Sequence, residues 1–331
     1  LSARAKFINL VDYLHLRFAF PEGALIVLNR YFGCLLGLAC GDALGGAAEF
    51  RSGEEIRADH PEGLRDFVGG GWLNLFPGEV TDDTQMALAI AESLTNGGPL
   101  NMEDVATRFV AWYLSRPKDI GNTTRAAIHL LDSGVAWNMA GERIHAQSNG
   151  RAAGNGSVMR CAPVALRFLS RMDTMIQASI DTSRITHADQ RCTLSAVAVN
   201  QAIAHLLANG DRLTVIDAAL TGIEREDVKR AVHRAVMLNE SDVPNGGFVL
   251  DTMTAAFWAL LNHDSLEETI VAAVALGGDA DTTGAVTGAL AGAMYGIDAI
   301  PDRWLSLLQH RERITELAGI LFTLNSEDSA N

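Results

Sequence analysis

The run Asp279-Ala280-Asp281-Thr282-Thr283-Gly284-Ala285-Val286-Thr287-Gly288-Ala289-Leu290-Ala291-Gly292-Ala293-Met294-Tyr295-Gly296 carries no charge after Asp281 and returns to glycine at every fourth position from 284. That spacing sets Gly284, Gly288, Gly292 and Gly296 on one face of a helix. A glycine costs a helix roughly 1 kcal/mol relative to alanine, so the stripe needs an offsetting gain. Close backbone approach to a neighbouring helix would supply it. GxxxG spacing also pairs helices in membranes, but this stretch is short and bounded by Asp281 and Asp298, too short to span a bilayer securely. The expectation is a buried central helix that holds Asp279 and Asp281 rigidly at its N-terminal end.

Helical periodicity extends outward from there. Met86, Ala89, Ile90 and Leu94 share a face, and Gly97-Gly98-Pro99 stops that helix. The segments 105–114, 124–131, 192–207, 228–237, 252–261 and 266–276 read the same way, and another helix is expected from about Leu25 through Leu44. Alternating runs flanked by hairpin turns are scarce. The fold class expected is all-α, with one core and no linker, over residues 29–325. Residues 1–28 form an N-terminal extension that is unusually apolar, with Phe7, Ile8, Leu10, Val11, Leu14, Leu16, Phe18 and Phe20. Two readings stand for it, an extra helix packed on the domain and an arm that docks a partner protein.

Composition narrows the function classes. Of 331 residues, 48% are apolar and 20% charged, ordinary for a globular chain. The net charge of −14 argues against nucleic acid, whose phosphates need clustered Lys and Arg. A small anionic ligand stays open, since a bound cation inverts the local potential. Cys34, Cys40, Cys161 and Cys192 show no CxxC spacing and read as buried reduced thiols. No signal-peptide pattern and no membrane span are read, so a cytoplasmic location is expected.

Two acidic clusters carry the chemistry. Thr81-Asp82-Asp83-Thr84 and Asp279-Ala280-Asp281-Thr282 each open a helix, the second after Gly277-Gly278. Capping a helix needs one such side chain. Adjacent carboxylates repel one another unless a cation neutralises them. The set is all oxygen, without nearby His or Cys, and so favours hard ions, Mg2+ or Mn2+, over Zn2+. Four carboxylates balance two divalent cations, and two-metal hydrolytic sites are a known arrangement. Between the clusters, Gly154-Asn155-Gly156-Ser157 leads into Val158-Met159-Arg160, a small turn that can offer N–H groups and a hydroxyl to an anion.

The ordered combination of Gly41-Asp42-Ala43-Leu44-Gly45 with Glu49, Thr81-Asp82-Asp83-Thr84, Gly154-Asn155-Gly156 with Met159-Arg160, Thr186-His187, and Gly278-Asp279-Ala280-Asp281-Thr282-Thr283-Gly284 resembles the ADP-ribosylglycohydrolase family. Gly69-Gly70-Gly71-Trp72 and Ser115-Arg116-Pro117 with Gly121-Asn122-Thr123 add to the likeness, which runs from about Tyr31 to Leu305. The resemblance implies a single orthogonally packed helical domain, two Mg2+ or Mn2+ ions, and removal of ADP-ribose from a protein side chain, arginine first. It implies Thr81, Asp82, Asp83, Asp279, Asp281 and Thr282 as metal ligands. It places Glu49 and Asp119 beside the reacting ribose as candidate base or nucleophile, with Asp82 and Asp281 sharing in catalysis. Asn122, Asn155, Gly156, Ser157 and His187 would contact the ligand. Some enzymes of this family counter ADP-ribosylating toxins, and the arm over residues 1–28 would then bind the cognate transferase. Two alternatives remain at this point: a two-metal nucleotide phosphohydrolase, and a neutralising protein that acts through its arm.

Overall fold

The computed structural model describes residues 22–96 and 100–330. Sixteen α-helices and three 3-10 turns make up these residues, and among them only isolated bridges take the place of strands. The all-α expectation holds. Five helices position the site: α1 (Glu22–Gly45), α2 (Asp82–Leu94), α3 (Gln190–Asn209), α4 (Val249–Asn262) and α5 (Ala280–Tyr295).

Helix α5 is the central one, buried continuously from Ala280 to Ala293. Its glycine stripe lies against a second stripe that periodicity does not reveal, Gly33, Gly37, Gly41 and Gly45 on α1. The helices run antiparallel, Gly33 facing Gly292, Gly37 facing Gly288, Gly41 facing Gly284, and Gly45 facing Ala280. A Cβ on any of these glycines would fall under 3 Å from a carbonyl of the facing helix. Only glycine permits such an approach, which brings Cα–H groups onto facing carbonyls and recovers the propensity lost along both stripes.

By length and composition Gly23–Gly45 could cross a membrane. Its side chains instead line the protein interior. Leu28, Tyr31, Phe32, Leu36, Leu38 and Leu44 are buried, the Tyr31 hydroxyl donates to the Leu166 carbonyl at 2.8 Å, and Asp42 carries a charge in its last turn. The C-terminal helix Arg311–Ala330 packs on α1 and closes the far side of the core.

The helices expected from periodicity are present, with ends shifted by up to three residues. The segment expected over 228–237 is Glu226–Arg234, and Met237 beyond it is exposed. Helix α1 starts at Glu22, so residues 22–28 continue into the glycine-striped helix and are not separable from it. The remainder of the expected extension, residues 1–21, lies outside the described residues.

Candidate active site

The site lies where the C-terminal end of α1 meets the N-terminal ends of α2 and α5. The glycine stripes dictate this meeting, since Gly45 at the end of α1 abuts Ala280 and Asp281 at the start of α5. Two helix N-termini thus point unpaired N–H groups and positive dipole ends at one place, which favours negative charge there.

The residues at the cap positions are not spent on capping, although Asp281 in the first turn of α5 accepts from Thr282 N–H at 2.7 Å. Thr81 and Asp279 occupy the cap positions of α2 and α5, and neither side chain makes a cap hydrogen bond. Thr81 donates its hydroxyl toward Asp42 at 2.8 Å, with Asp83 Oδ2 at 3.1 Å. Asp42, fully buried, is the organiser of this region, a role that its sequence motif does not disclose. Its carboxylate accepts from Thr81 N at 3.0 Å, Thr84 N at 3.1 Å and Thr84 Oγ1 at 2.5 Å. These bonds fasten the start of α2 to α1. Burial lifts the Asp42 carboxyl to about 6 in spite of them, and the negative end of the α1 dipole acts in the same direction.

The loops around Glu49 and Asp279 are stitched together. Phe50 N–H donates to the Gly278 carbonyl at 2.7 Å, and Gly278 N–H donates to the Arg51 carbonyl at 2.8 Å. Asp279 N–H donates to the Asn245 carbonyl at 2.9 Å. This brings carboxylate oxygens of Glu49, Asp119 and Asp281 within 4.8 Å of one another. Burial raises Asp82, Asp83 and Asp281 well above the carboxylate range, and neighbouring carboxylates push the same way. Burial raises Asp119 and takes Glu49 to about 7, against the N–H of Trp72 that donates to Glu49 Oε2 at 2.6 Å.

Paired carboxyls in contact require either a shared proton or a cation between them. Asp83 Oδ1 is buried with no hydrogen-bond partner, an acceptor aimed at nothing the protein supplies. Together with the unspent caps, these observations fit a divalent cation among these carboxylates; the group whose oxygens come together is Glu49, Asp119 and Asp281, which shares Asp281 with the expected ligands Thr81, Asp82, Asp83, Asp279, Asp281 and Thr282. Thr81, Asp82, Asp83, Asp281 and Thr282 are all buried, and Asp279 is partly so. Asp119 does not cap the helix Asn122–Asp132, whose cap is Gly121; its Oδ1 accepts from Ile120 N–H at 2.7 Å. Asn122 is exposed in the first turn of that helix.

The Gly154–Ser157 turn borders the cluster. Asn155 N–H donates to the Gly247 carbonyl at 3.1 Å and Val249 N–H to the Ala153 carbonyl at 3.0 Å, which fixes the turn to the start of α4. The Asn155 amide donates to Asp279 Oδ2 at 3.0 Å and Thr252 Oγ1 at 2.9 Å, so Asn155 orients an expected metal ligand as well as lining the pocket. Gly156 has ordinary φ. A Cβ there would meet His187 Cε1 at 2.8 Å, so its smallness serves close packing rather than a turn. Ser157 Oγ is buried and unpartnered, a second orphan facing this region.

Beneath the turn runs a buried chain of polar groups. Arg160 stacks 4.5 Å over the Phe109 ring and donates to Thr186 Oγ1 at 2.7 Å, and Thr186 Oγ1 lies 2.8 Å from His187 Nδ1. Burial lowers the His187 imidazole to about 3, with Arg160 assisting, so the ring is neutral. Arginine only donates, and a Thr186 hydroxyl donating onward to Nδ1 leaves the imidazole proton on Nε2, beside Gly154 and Gly156.

Comparison with known proteins agrees with this geometry. A family model described as ADP-ribosylglycohydrolase matches residues 24–331. The chain is 36% identical over 285 residues to the ADP-ribosyl-[dinitrogen reductase] glycohydrolase of Rhodospirillum rubrum, covering 85% of this chain and 91% of that protein. It is 33% identical over 322 residues to the ADP-ribosylarginine hydrolase Tri1 of Serratia proteamaculans, covering 91% of this chain and 81% of that one. A solved structure titled ADP-ribosylglycohydrolase-related protein complex superposes with a TM-score of 0.77 at 33% identity, over 90% of this chain and 99% of its own. With the striped helix pair, the acidic convergence and these likenesses in hand, the chain belongs to the ADP-ribosylglycohydrolase family.

Proposed function

We propose that this chain hydrolyses the N-glycosidic bond joining ADP-ribose to an arginine side chain of a modified protein, with two divalent cations, Mg2+ or Mn2+, as cofactors. The observation that carries the reading is the gathering of Glu49, Asp119 and Asp281 carboxylate oxygens within 4.8 Å of one another, beside the buried Asp82 and Asp83, the latter with one oxygen that has no partner. Relatives at 33% and 36% identity are named for ADP-ribosyl bonds, which supports the substrate class.

Bound cations would orient ribose hydroxyls and lower the pKa of a water. The chain's own residues do the rest. Breaking the bond from the anomeric carbon to nitrogen leaves positive charge on the ribose, which the carboxylates of Glu49, Asp119 and Asp281 stabilise. We assign the base to Glu49, whose Oε2 is fixed by the Trp72 indole N–H and whose carboxylate adjoins Asp119 and Asp281. Asp119, grouped with Glu49 and Asp281, would border the same reacting carbon. Ser157 Oγ, the N–H groups of Gly156 and Ser157 and His187 Nε2 would donate to the pyrophosphate side, the Asn155 N–H being held by the Gly247 carbonyl.

The test is product identity. A protein carrying ADP-ribosylarginine should yield intact ADP-ribose with Mg2+ or Mn2+, and none in chelator. Release of AMP or phosphate would instead indicate a nucleotide phosphohydrolase, and turnover in chelator would overturn the cation reading. Serine-linked substrates run alongside fix the acceptor, and Glu49→Gln should abolish most turnover while ADP-ribose still binds.

The apolar stretch Phe7–Phe20 favours an added role. In this reading the part of the expected 1–28 extension that precedes α1, residues 1–21, docks a cognate ADP-ribosyltransferase in the cytoplasm and makes the chain an immunity protein twice over, by reversal and by blockade. Deleting residues 1–21 should then weaken transferase binding while turnover persists. Unchanged binding and protection would remove the blocking role, and protection that survives Asp82→Ala with Asp281→Ala would make binding the main activity.

A further inference from the structure

Glu49 and Asp119 each adjoin in sequence a group the reaction does not use, Phe50 after Glu49 and Lys118 before Asp119. Phe50 is 68% exposed although its φ is +61°. A bulky side chain is strained in that left-handed region, where Gly or Asn rests easily. Neither core packing nor backbone geometry accounts for phenylalanine there. Its ring lies 5.4 Å from that of Trp72, half exposed, whose indole N–H holds Glu49.

On the Asp119 side, Lys118 sits 5.3 Å over the ring of Phe76, which is 76% exposed. The loop that joins Trp72 to Phe76 is firmly held. Gly70 and Leu75 exchange N–H···O bonds of 2.8 Å in both directions, Lys118 Nζ donates to the Asn74 carbonyl at 3.2 Å, and Phe76 N–H donates to Glu79 Oε2 at 2.7 Å. Gly71 packs its backbone on the carbonyl of Gly46. Phe50 and Trp72 on the Glu49 side, and Phe76 beneath Lys118 on the Asp119 side, therefore form an aromatic lip flanking the carboxylate cluster. Exposed aromatics grouped beside a site mark an interaction surface.

We propose that this lip is the docking surface for the protein part of the substrate, seating apolar side chains that flank the modified residue. The inference rests on the reaction proposed above. What favours this occupant is continuity. The scissile bond lies between Glu49 and Asp119, so the polypeptide leaving that bond crosses the residues adjoining both, Phe50 and Lys118. A phenylalanine kept outward against its backbone preference gains nothing from the chain's own interior.

The experiment uses the full chain with Phe50→Asn and Phe76→Ser combined, leaving Trp72 untouched. Two substrates are compared, an ADP-ribosylated protein and free ADP-ribosyl-arginine. The expected result is a KM for the protein raised about tenfold, kcat unchanged, and turnover of ADP-ribosyl-arginine unchanged. The melting temperature should hold or rise, because Asn tolerates the left-handed conformation. Equal loss on both substrates would assign the lip to shaping the pocket and overturn the proposal. An unchanged KM for the protein would overturn it as well, including the case where sedimentation shows a wild-type dimer that the variant dissociates, which would make a second copy the occupant. A wild-type chain active on both substrates with a variant indistinguishable from it sinks the lip alone. A wild-type chain that releases ADP-ribose from neither sinks the proposed reaction and the lip with it.

Discussion

Gly284→Ala and Gly292→Ala add the same methyl group to the same face of α5, but at different distances from the acidic cluster. At 284 the new carbon would lie 2.9 Å from the Gly41 carbonyl carbon and closer still to its oxygen. At 292 it would lie 2.8 Å from Cys34 N, with the Gly33 carbonyl nearer again. Both collisions are with backbone, which cannot rotate aside. Overpacking of this kind costs about 1–3 kcal/mol, and alanine returns about 1 kcal/mol of helix propensity. With backbone on both sides the upper end applies, for a net loss of about 2 kcal/mol in each variant. Their effects on the site should differ. A rise of about 1.5 Å per residue puts Gly284 about 4.5 Å along the axis from Asp281 and Gly292 about 16 Å away. A ligand displaced by about 1 Å costs on the order of 100-fold in rate. Gly284→Ala should therefore lose about 100-fold in kcat and bind Mn2+ more weakly, while Gly292→Ala keeps both within about threefold at a temperature where each is folded. Urea midpoints, Mn2+ titration and ADP-ribose release read the three quantities, and the titration does not presuppose the reaction. Equal loss of Mn2+ affinity in both variants would refute the reasoning, because the effect would then follow global stability and not distance from Asp281.

The chelator-treated chain should be less stable at pH 8 than at pH 5. Carboxyls whose folded pKa is raised stabilise the fold when protonated, and that contribution fades as pH climbs from the unfolded value near 4 through about 6 for Asp42 and about 7 for Glu49. Asp42 alone corresponds to about 3 kcal/mol. Urea midpoints should fall across this window and recover with saturating Mn2+, and a flat profile in chelator would count against the cluster as described. Asp42→Asn keeps the shape but offers one acceptor and one NH2 to four donors from Thr81 and Thr84. A cation affinity lowered about 10–100-fold is expected by titration, and unchanged affinity would deny Asp42 its organising role. Ser157→Ala removes a hydroxyl with no protein partner, so the free protein should melt within about 0.5 kcal/mol of wild type while ADP-ribose stabilises it less; undiminished ligand stabilisation would take Ser157 out of the pocket.

Legibility in the sequence differs from residue to residue. The stripe on α5 and its need for a close neighbour are readable because glycine at every fourth position costs helix propensity that only close packing returns. The matching stripe Gly33, Gly37, Gly41 and Gly45 carries the same signal. It is hidden inside a run dominated by large apolar residues, where periodicity is read from what is hydrophobic and not from what is missing. Asp42 is detectable as a charge near the end of an apolar helix. The helix Met172–Arg184 escapes a periodicity reading because its apolar positions are few, and it is held by neighbours such as α3. The turn at Gly154–Ser157 reads as an anion-binding loop because small residues precede a helix. Its glycine at 156 is there for the His187 ring, a contact 31 residues distant in sequence that no local pattern encodes. Trp72 on Glu49 depends in the same way on a loop that only the fold brings near.

The pairing of glycine stripes with an acidic cluster has a physical logic. Buried carboxylates at this density repel, and a scaffold joined by ordinary side chains can relax by changing rotamers. The contact between α1 and α5 has no rotamers to change, since backbone meets backbone at each of the facing glycines. Repulsion between Asp281, Asp83 and Asp82 therefore cannot be relieved by sliding α5 along α1 without losing the register of the whole stripe. It is relieved instead by protons on the carboxyls or by cations between them. A rigid frame with displaced pKa values thus converts electrostatic strain into affinity for divalent cations, and the same four bonds that tie Asp42 to α2 carry that frame into the third helix of the site.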